Sequence, residues 1–395
     1  MGRGPAASDV AAKNSSAGSS LSSALNGAAK KDDRTPATGG QVIAAPQIRT
    51  SLPLPPQHNN MTKILIPSGT APPDPPMCLE AAVQDGNVLV SIVRCTQGGA
   101  ILWTDRIYGR ASLLTGNTGH FSAVGCTDGS IYVYSPAGRK ILPCISTGSP
   151  VIVLECSRQC NLLCVTADAN VICWNIKKQK IVFRSSVSSI LSSPDLKLER
   201  FELSDSGLAI ASLSNGFSFS YNASMDCWLR VADNLAIHSE FQTSLSNRFN
   251  ANVKGPLFML QSRAASVTSS SRAVNLFAAD ASVQQIETVS HLESMLASAL
   301  ALGSAEEYRY WLRAYARKLA DLADTQKLRE LCEVLLGSVF WNSSSGTSAW
   351  DPTICGSLVK RKLLEDDVLT SISTNRTLQR LVTEFTDALQ EVKRS

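Results

Sequence analysis

Ala123-Val-Gly-Cys-Thr-Asp-Gly-Ser-Ile-Tyr-Val-Tyr134 reads as strand, tight turn, strand, and Leu163-Cys-Val-Thr-Ala-Asp-Ala-Asn-Val-Ile-Cys-Trp174 repeats the pattern in other residues. Asp128 maps to Asp168, Ile131 to Val171, Tyr134 to Trp174, and Lys140-Ile141 to Lys180-Ile181. Each offset is 40 residues (168 − 128, 174 − 134, 180 − 140). Asp128-Gly129 suits a two-residue type I′ turn, whose twist matches the flanking strands. Alternation then sends Ile131 and Val133 to one face, and Tyr132 and Tyr134 to the other. A lone hairpin cannot bury such a face, so each must stack on a neighbour.

A period near 40 with a hairpin ending in an aromatic residue is the pattern of a β-propeller blade of the WD-repeat type. Two hairpins of a β-sandwich are the plainer alternative. Matching outer strands, Arg139 to Leu142 and Gln179 to Val182, favour blades. A first hairpin reads from Val88-Leu-Val-Ser-Ile-Val93 through Gln97-Gly-Gly99 to Ala100-Ile-Leu-Trp103. A fourth reads from Gly207 to Leu213, through Ser214-Asn-Gly216, to Phe217-Ser-Phe-Ser-Tyr221. Asn-Gly is among the strongest short hairpin signals. Four units are the fewest that close a propeller.

The flanks differ in kind. Residues 1–77 are rich in Ala, Ser, Gly and Pro and read as a disordered tail, with Met61 to Pro67 as one added strand and Pro72-Pro-Asp-Pro-Pro76 as a stiff spacer. The β domain is expected over 78–234. A transitional segment follows over 235–285, with a loop at Ser266 to Ser271. An α-helical domain fills 286–395. Val289, Leu292, Leu296 and Ala299 share one helical face. Ser304-Ala-Glu-Glu307 has the form of a capping box. Tyr308, Leu312, Tyr315, Leu319 and Leu322 make an apolar stripe. Leu328, Leu331 and Leu335 mark another helix, stopped near Gly337, and Leu378, Leu381, Phe385, Leu389 and Val392 line the last.

Composition narrows the function. A net charge of +4 over 395 residues gives no electrostatic case for a dedicated DNA-binding surface. Met1-Gly-Arg-Gly-Pro-Ala lacks the apolar core of a signal peptide, so the eleven cysteines read as reduced thiols. No apolar run reaches the length of a membrane span. There is no P-loop, no G-x-S-x-G and no H-E-x-x-H, and none of the four histidines has a local catalytic signature. Cys156, Cys160 and Cys164 invite a zinc reading, but the spacing departs from C-x₂-C and Cys164 lies within a strand. Asp128 and Asp168 read as turn residues that bond their own backbone. No catalytic, cofactor or metal set is expected. The candidate residues are contacts: Tyr134 and Trp174 at the ends of the repeats, Asn175 beside the latter as in a Trp-Asp blade ending, and the basic run Lys360, Arg361, Lys362; for Trp174, packing between blades is an equal alternative. A solvated helix face is the favoured account of that run, with an import signal or an acidic-partner contact as the alternatives.

Several blocks resemble a known family. Gly119-His-Phe-Ser-Ala-Val-Gly-Cys-Thr-Asp-Gly-Ser-Ile-Tyr-Val-Tyr134 is similar to the conserved-domain signature of the HIRA histone-chaperone proteins. So are Thr288-Val-Ser-His-Leu-Glu293, Ala299-Leu-Ala-Leu302, Glu307-Tyr-Arg-Tyr-Trp-Leu312 and Leu328-Arg-Glu-Leu-Cys-Glu-Val-Leu-Leu-Gly337. The resemblance runs from about Cys78 to Val392. It implies a nuclear, non-enzymatic scaffold with no cofactor, in a complex that deposits histone H3–H4 independently of replication and represses transcription, histone genes included. It also implies self-association, a helical-repeat partner of the calcineurin-binding type, histones and chromatin reached through the complex, no membrane and no small-molecule substrate. The family's amino-terminal WD-repeat propeller and its Arg-Arg-Ile-x-Pro-like box have no counterpart here, so the chain is expected to correspond to a carboxy-terminal half. A membrane-coat or nuclear-pore scaffold, which also joins a propeller to stacked helices, is the alternative.

Overall fold

The computed structural model describes residues 51–56, 60–66, 75–84, 86, 88–117, 119–241, 255–269, 280–337 and 350–394. Residues 1–50 of the tail read over 1–77, and most of the Pro72–Pro76 spacer, lie outside them.

Four antiparallel sheets of four strands each follow one another as meanders. The first blade is β1 (Met61–Ile66), β2 (Met77–Gln84), β3 (Val90–Gln97) and β4 (Ala100–Tyr108). The second is β5 (Ala111–Asn117), β6 (Phe121–Cys126), β7 (Ser130–Tyr134) and β8 (Ile145–Ser146). The third is β9 (Val151–Cys156), β10 (Asn161–Thr166), β11 (Asn170–Asn175) and β12 (Lys180–Ser186). The fourth is β13 (Leu198–Leu203), β14 (Ala209–Leu213), β15 (Ser218–Asn222) and β16 (Cys227–Ala232). The four blade-like units expected from the repeat are these sheets. Two boundaries move. The first blade begins at Met61 rather than Cys78, because β1 pairs with β2 along its whole length. Leu52 is tied down as well: its N–H donates to Ala167 O at 2.7 Å and its side chain is buried between blades three and four.

The turns differ from the type I′ form read from Asp128-Gly129. Gly129 alone of the pair has positive φ, at 87°, and its N–H donates to Cys126 O, so Thr127 and Asp128 occupy the central positions. Asp128 Oδ1 accepts from Ser130 N at 2.9 Å. The equivalent turn places Ala169 at φ 65° with its N–H on Thr166 O, and Gly216 sits likewise on Leu213 O. This is a type I turn closed by a left-handed residue, the three-residue hairpin that carries a bulge.

Alternation decides the packing. On β10, Leu162 and Cys164 face blade two beside Ala123, Ile131 and Val133. Leu163 and Val165 face blade four beside Ala211, Leu213 and Tyr221. On β6, Ala123 joins that same blade-two to blade-three core, while Val124 and Cys126 face blade one beside Leu79, Val93 and Trp103. Every residue of β6, β10 and β14 is therefore buried.

Helices follow the last blade, and the first two of them cover its far face. The helices are α1 (Pro256–Ser269), α2 (Ala281–Ala301), α3 (Ala305–Asp321) and α4 (Thr325–Leu336), then α5 (Lys360–Leu363), a π-helical stretch Leu364–Leu369, and α6 (Gln379–Arg394). Ile210, Val231 and Ala232 of the blade share one core with Leu257, Leu260, Met295 and Leu312. The predicted stripes are buried: Tyr308, Leu312, Tyr315 and Leu319 on α3, and Leu381, Phe385 and Leu389 on α6.

Two expectations change here. The segment read as transitional contains α1, and Ser266 to Ser269 continue it rather than forming a loop. The capping box at Ser304 does not form. Ser304 is the N-cap of α3 but makes no side-chain cap bond. Glu307, 1 % exposed, turns instead to another helix and accepts from Leu257 N at 3.1 Å and Phe258 N at 2.7 Å. Its carboxylate satisfies amides that α1 cannot satisfy itself. Gly255 allows the approach, since a Cβ there would lie 2.1 Å from Glu307 Cδ.

His291 holds the same joint. Its Nδ1 is 2.8 Å from Ser239 Oγ, and burial pulls its pKa below the ordinary value against the opposing pull of Asp233 and Glu287.

Two measurements follow from this joint. Glu307→Ala should lower stability by about 2–3 kcal/mol, because two buried amides lose a charged acceptor; a urea midpoint equal to that of the wild type would show the cap to be dispensable. The unfolded chain protonates histidine near pH 6.5 and the folded chain resists it. Stability is therefore complete above about pH 6.5 and falls as pH drops toward the lower folded value. Urea midpoints between pH 7 and 5.5 should fall in the wild type and fall less in His291→Gln.

Candidate interaction surface

The six candidate contact residues lie in three separate places, and the structure gives them different work. Tyr134, on β7, is fully buried. Its ring stacks on Trp103 with centroids 5.0 Å apart, and its hydroxyl donates to Asp105 Oδ2 at 2.8 Å. Lys140 Nζ also meets that carboxylate, at 2.9 Å, and these partners hold Asp105 below the usual carboxylate range against the opposing effect of burial. Tyr134 pins blade one to blade two, so its place among the contact candidates is corrected to core.

Trp174 is half-buried and packs on the core between blades two and three. The strand's alternation is as read: Val171 and Cys173 face blade four, and Trp174 faces blade two. Across the ladder it pairs with Ile181 on β12, at a bulge between Cys173 and Trp174. Ile181 is 53 % exposed and Val182 beside it is exposed too. Blade one repeats this arrangement 80 residues earlier (181 − 101). There Ile101, 60 % exposed, and Leu102 lie on β4, opposite a bulge between Cys95 and Thr96. The sequence reading missed these aliphatic pairs, although the 40-residue offset linking Ile141 to Ile181 was the signal for them. β4 and β12 are the outer strands of their sheets, where an apolar edge invites a partner.

Asn175 is half-buried and makes three hydrogen bonds within its own blade. Its Nδ2 donates to Gln159 O at 3.0 Å and Asn161 Oδ1 at 2.8 Å, and its Oδ1 accepts from Lys178 N at 2.8 Å. It closes the ends of two hairpins of blade three, where the side chain of a Trp-Asp ending would lie.

Lys360 and Arg361 flank Trp350, with Nζ 5.3 Å and the guanidinium 5.1 Å from its ring centroid. Trp350 Nε1 donates to Val334 O at 2.9 Å, and Arg361 Nε donates to Leu336 O at 2.9 Å. Burial lowers the Arg361 pKa. These two cations fasten the chain entering α5 to the end of α4. Lys362 is exposed and, among the described residues, makes no polar contact.

The cysteines of the zinc reading belong to the packing between blades two and three. Cys164 is fully buried and its thiol is pushed up to about 12 by desolvation. Cys156 is raised by the same cause, and Thr115 Oγ1 donates to its sulfur at 3.3 Å. Among the described residues no group of three or more His, Cys, Asp or Glu is placed to hold a metal, and no helix is long and apolar enough to cross a membrane.

The family model Hira: TUP1-like enhancer of split matches residues 138–335, which is half of the chain. The chain belongs to the HIRA family. It is 35 % identical over 314 residues to a rice protein HIRA, covering 76 % of this chain and 31 % of that one. It is 32 % identical over 354 residues to mouse protein HIRA, covering 88 % of this chain and 33 % of the relative. The crystal structure of HIRA(644-1017) matches with a TM-score of 0.62 and 30 % identity, covering 87 % of this chain and all of that one. The chain spans about a third of the length of the curated HIRA relatives it matches. The HIRA match runs across blades and helices together, as the sequence blocks imply.

The division of labour among these residues is open to measurement. Asn175→Ala should cost about 1–3 kcal/mol by stranding a buried partner, whereas Lys362→Glu should leave the melting temperature unchanged. Equal melting of both variants would remove the structural role given to Asn175.

Proposed function

We propose that this chain is a non-enzymatic scaffold of a HIRA-type histone chaperone complex in the nucleus. It serves replication-independent nucleosome assembly and transcriptional repression, including repression of histone genes. The observation that carries this reading is the extent of the likeness to HIRA(644-1017), which takes in all of that chain, β and α parts alike. The chemistry of the described residues agrees with an assembly role. Their buried thiols, carboxylates and histidine are absorbed by packing and capping.

In this reading the chain self-associates, engages a helical-repeat subunit of the calcineurin-binding type, and meets histone H3–H4 and chromatin through the complex. The patch favoured for self-association is the exposed part of Trp174 with Ile181 and Val182 on blade three, an aromatic anchor beside an aliphatic edge. Lys362 is the exposed member of the basic run and the one free to meet an acidic partner.

Affinity purification of the tagged chain from nuclei, followed by mass spectrometry, should recover histones H3 and H4 with a large helical-repeat protein, in the chromatin fraction. Recovery with membrane-coat or pore subunits instead would overturn the reading. In vitro, Ile181→Asp should leave the melting curve intact and move the mass measured by light scattering toward that of a monomer. An unchanged assembly mass would exclude this patch.

A further inference from the structure

The core between blades three and four holds one side chain that neither blade supplies. Leu52 stands nine residues before β1 (61 − 52). It is 6 % exposed and shares that core with Val165, Val171, Ala211 and Leu213. Among the described residues, the cores between blades one and two and between blades two and three are built from the blades and their connecting turns alone. Blades three and four therefore leave a pocket in their interface, and a leucine from outside fills it.

The leucine arrives on an extended segment. Ser51-Leu-Pro-Leu-Pro-Pro56 forms no helix and joins no strand ladder. Leu52 N–H donates to Ala167 O at 2.7 Å, in the turn from β10 to β11. Pro53, Pro55 and Pro56 fix their own φ and keep the residues before them out of the helical region. Such a segment is extended before it docks and loses little freedom on docking. Pocket and segment meet through one apolar side chain and one main-chain donor, with proline setting the shape between anchors, which is a recurring mode of peptide recognition.

The hold is slight. Leu54 is 50 % exposed, and Ser51, Pro53 and Pro56 are exposed as well. Among the described residues, the Leu52 N–H makes the segment's one hydrogen bond. A second segment with the same leucine and the same donor equals that grip, and one whose later residues also find contact exceeds it. The pocket is also separate from the patch at Trp174: Leu52 lies on the side of blade three that carries Val171 and Cys173, and Trp174 faces the other way.

We propose that this pocket recognises extended leucine–proline segments of partner proteins, and that Ser51–Pro56 occupies it in cis until such a segment displaces it. The chain's own segment defines the chemistry: an apolar anchor with a free main-chain N–H, followed at once by proline.

The test uses the whole chain, as wild type and as Leu52→Gly, with a fluorescein-labelled peptide of residues 50–57 as the probe and fluorescence polarisation as the readout. Leu52→Gly removes the tethered competitor, so the peptide should bind it roughly tenfold or more tighter than the wild type. Leu54→Gly leaves the anchor in place and should bind like the wild type. Three altered peptides should bind Leu52→Gly more weakly than the parent: one with aspartate for the leucine at 52, one methylated on that residue's main-chain nitrogen, and one with its prolines replaced by alanine. Peptide should also raise the melting temperature of Leu52→Gly toward that of the wild type, while leaving the wild type unmoved. The proposal is overturned if the parent peptide binds neither form, if it binds both alike, or if any altered peptide binds as well as the parent. It is equally overturned if Leu52→Gly fails to fold even with peptide present, since Leu52 would then be a fixed part of the core.

Discussion

A four-stranded blade has two apolar faces and no core of its own, and every other feature of this chain answers that constraint. Its middle strands send alternate side chains to opposite sides. Leu163 and Val165 need a neighbour on one side, and Leu162 and Cys164 need one on the other. Stacking satisfies the interior blades but leaves a face bare at each end of the row, as in any linear array.

The two ends are finished differently. At the first blade, the face opposite Leu79 and Val93 carries Glu80 and Arg94, which are cross-strand partners joined at 3.4 Å. A charged pair lets that face meet water, as a capping repeat does. At the last blade the bare face stays apolar, and Ile210, Val231 and Ala232 are buried by α1 and α2. The helices stand where a fifth blade would. Among the described residues β16 pairs with β15 alone, and a groove lies between it and α2.

Period and alternation made the blades legible in the sequence, because both are local: the 40-residue offset and the facing of Val171 against Trp174 needed no knowledge of partners. The turn type was less legible. Asp128-Gly129 is compatible with either hairpin, and the register of β6 against β7 decides between them. What sequence reasoning lost was side chains claimed by distant parts of the chain. Glu307 sits three residues after a serine N-cap, as a capping box requires, yet a buried helix end 50 residues earlier in sequence outbids the local amide. Tyr134 read as a surface aromatic because its partners, Trp103 and Asp105, lie in another blade. Asn175 was chosen for its neighbour's resemblance to a Trp-Asp ending, and its three hydrogen bonds explain that resemblance by turn closure.

Two of the helical blocks that resemble the family, Thr288 to Glu293 and Glu307 to Leu312, are also where the helices are fastened. Thr288 Oγ1 accepts from Glu240 N at 3.2 Å, and His291 meets Ser239. Glu293 accepts from both Tyr315 and Lys327, joining three helices. Glu307 caps α1, and Trp311 packs edge-on to Phe241. Most of these contacts fix helices to one another or to the segment leaving β16. A sequence held to such blocks is held to a geometry: the angle at which the helical part leaves the last blade. Cutting the chain between blade four and α1 would expose Ile210, Val231 and Ala232 on one piece and Leu257 and Met295 on the other. The β and α parts therefore fold as one unit, with the last blade and the first helices sharing a single core.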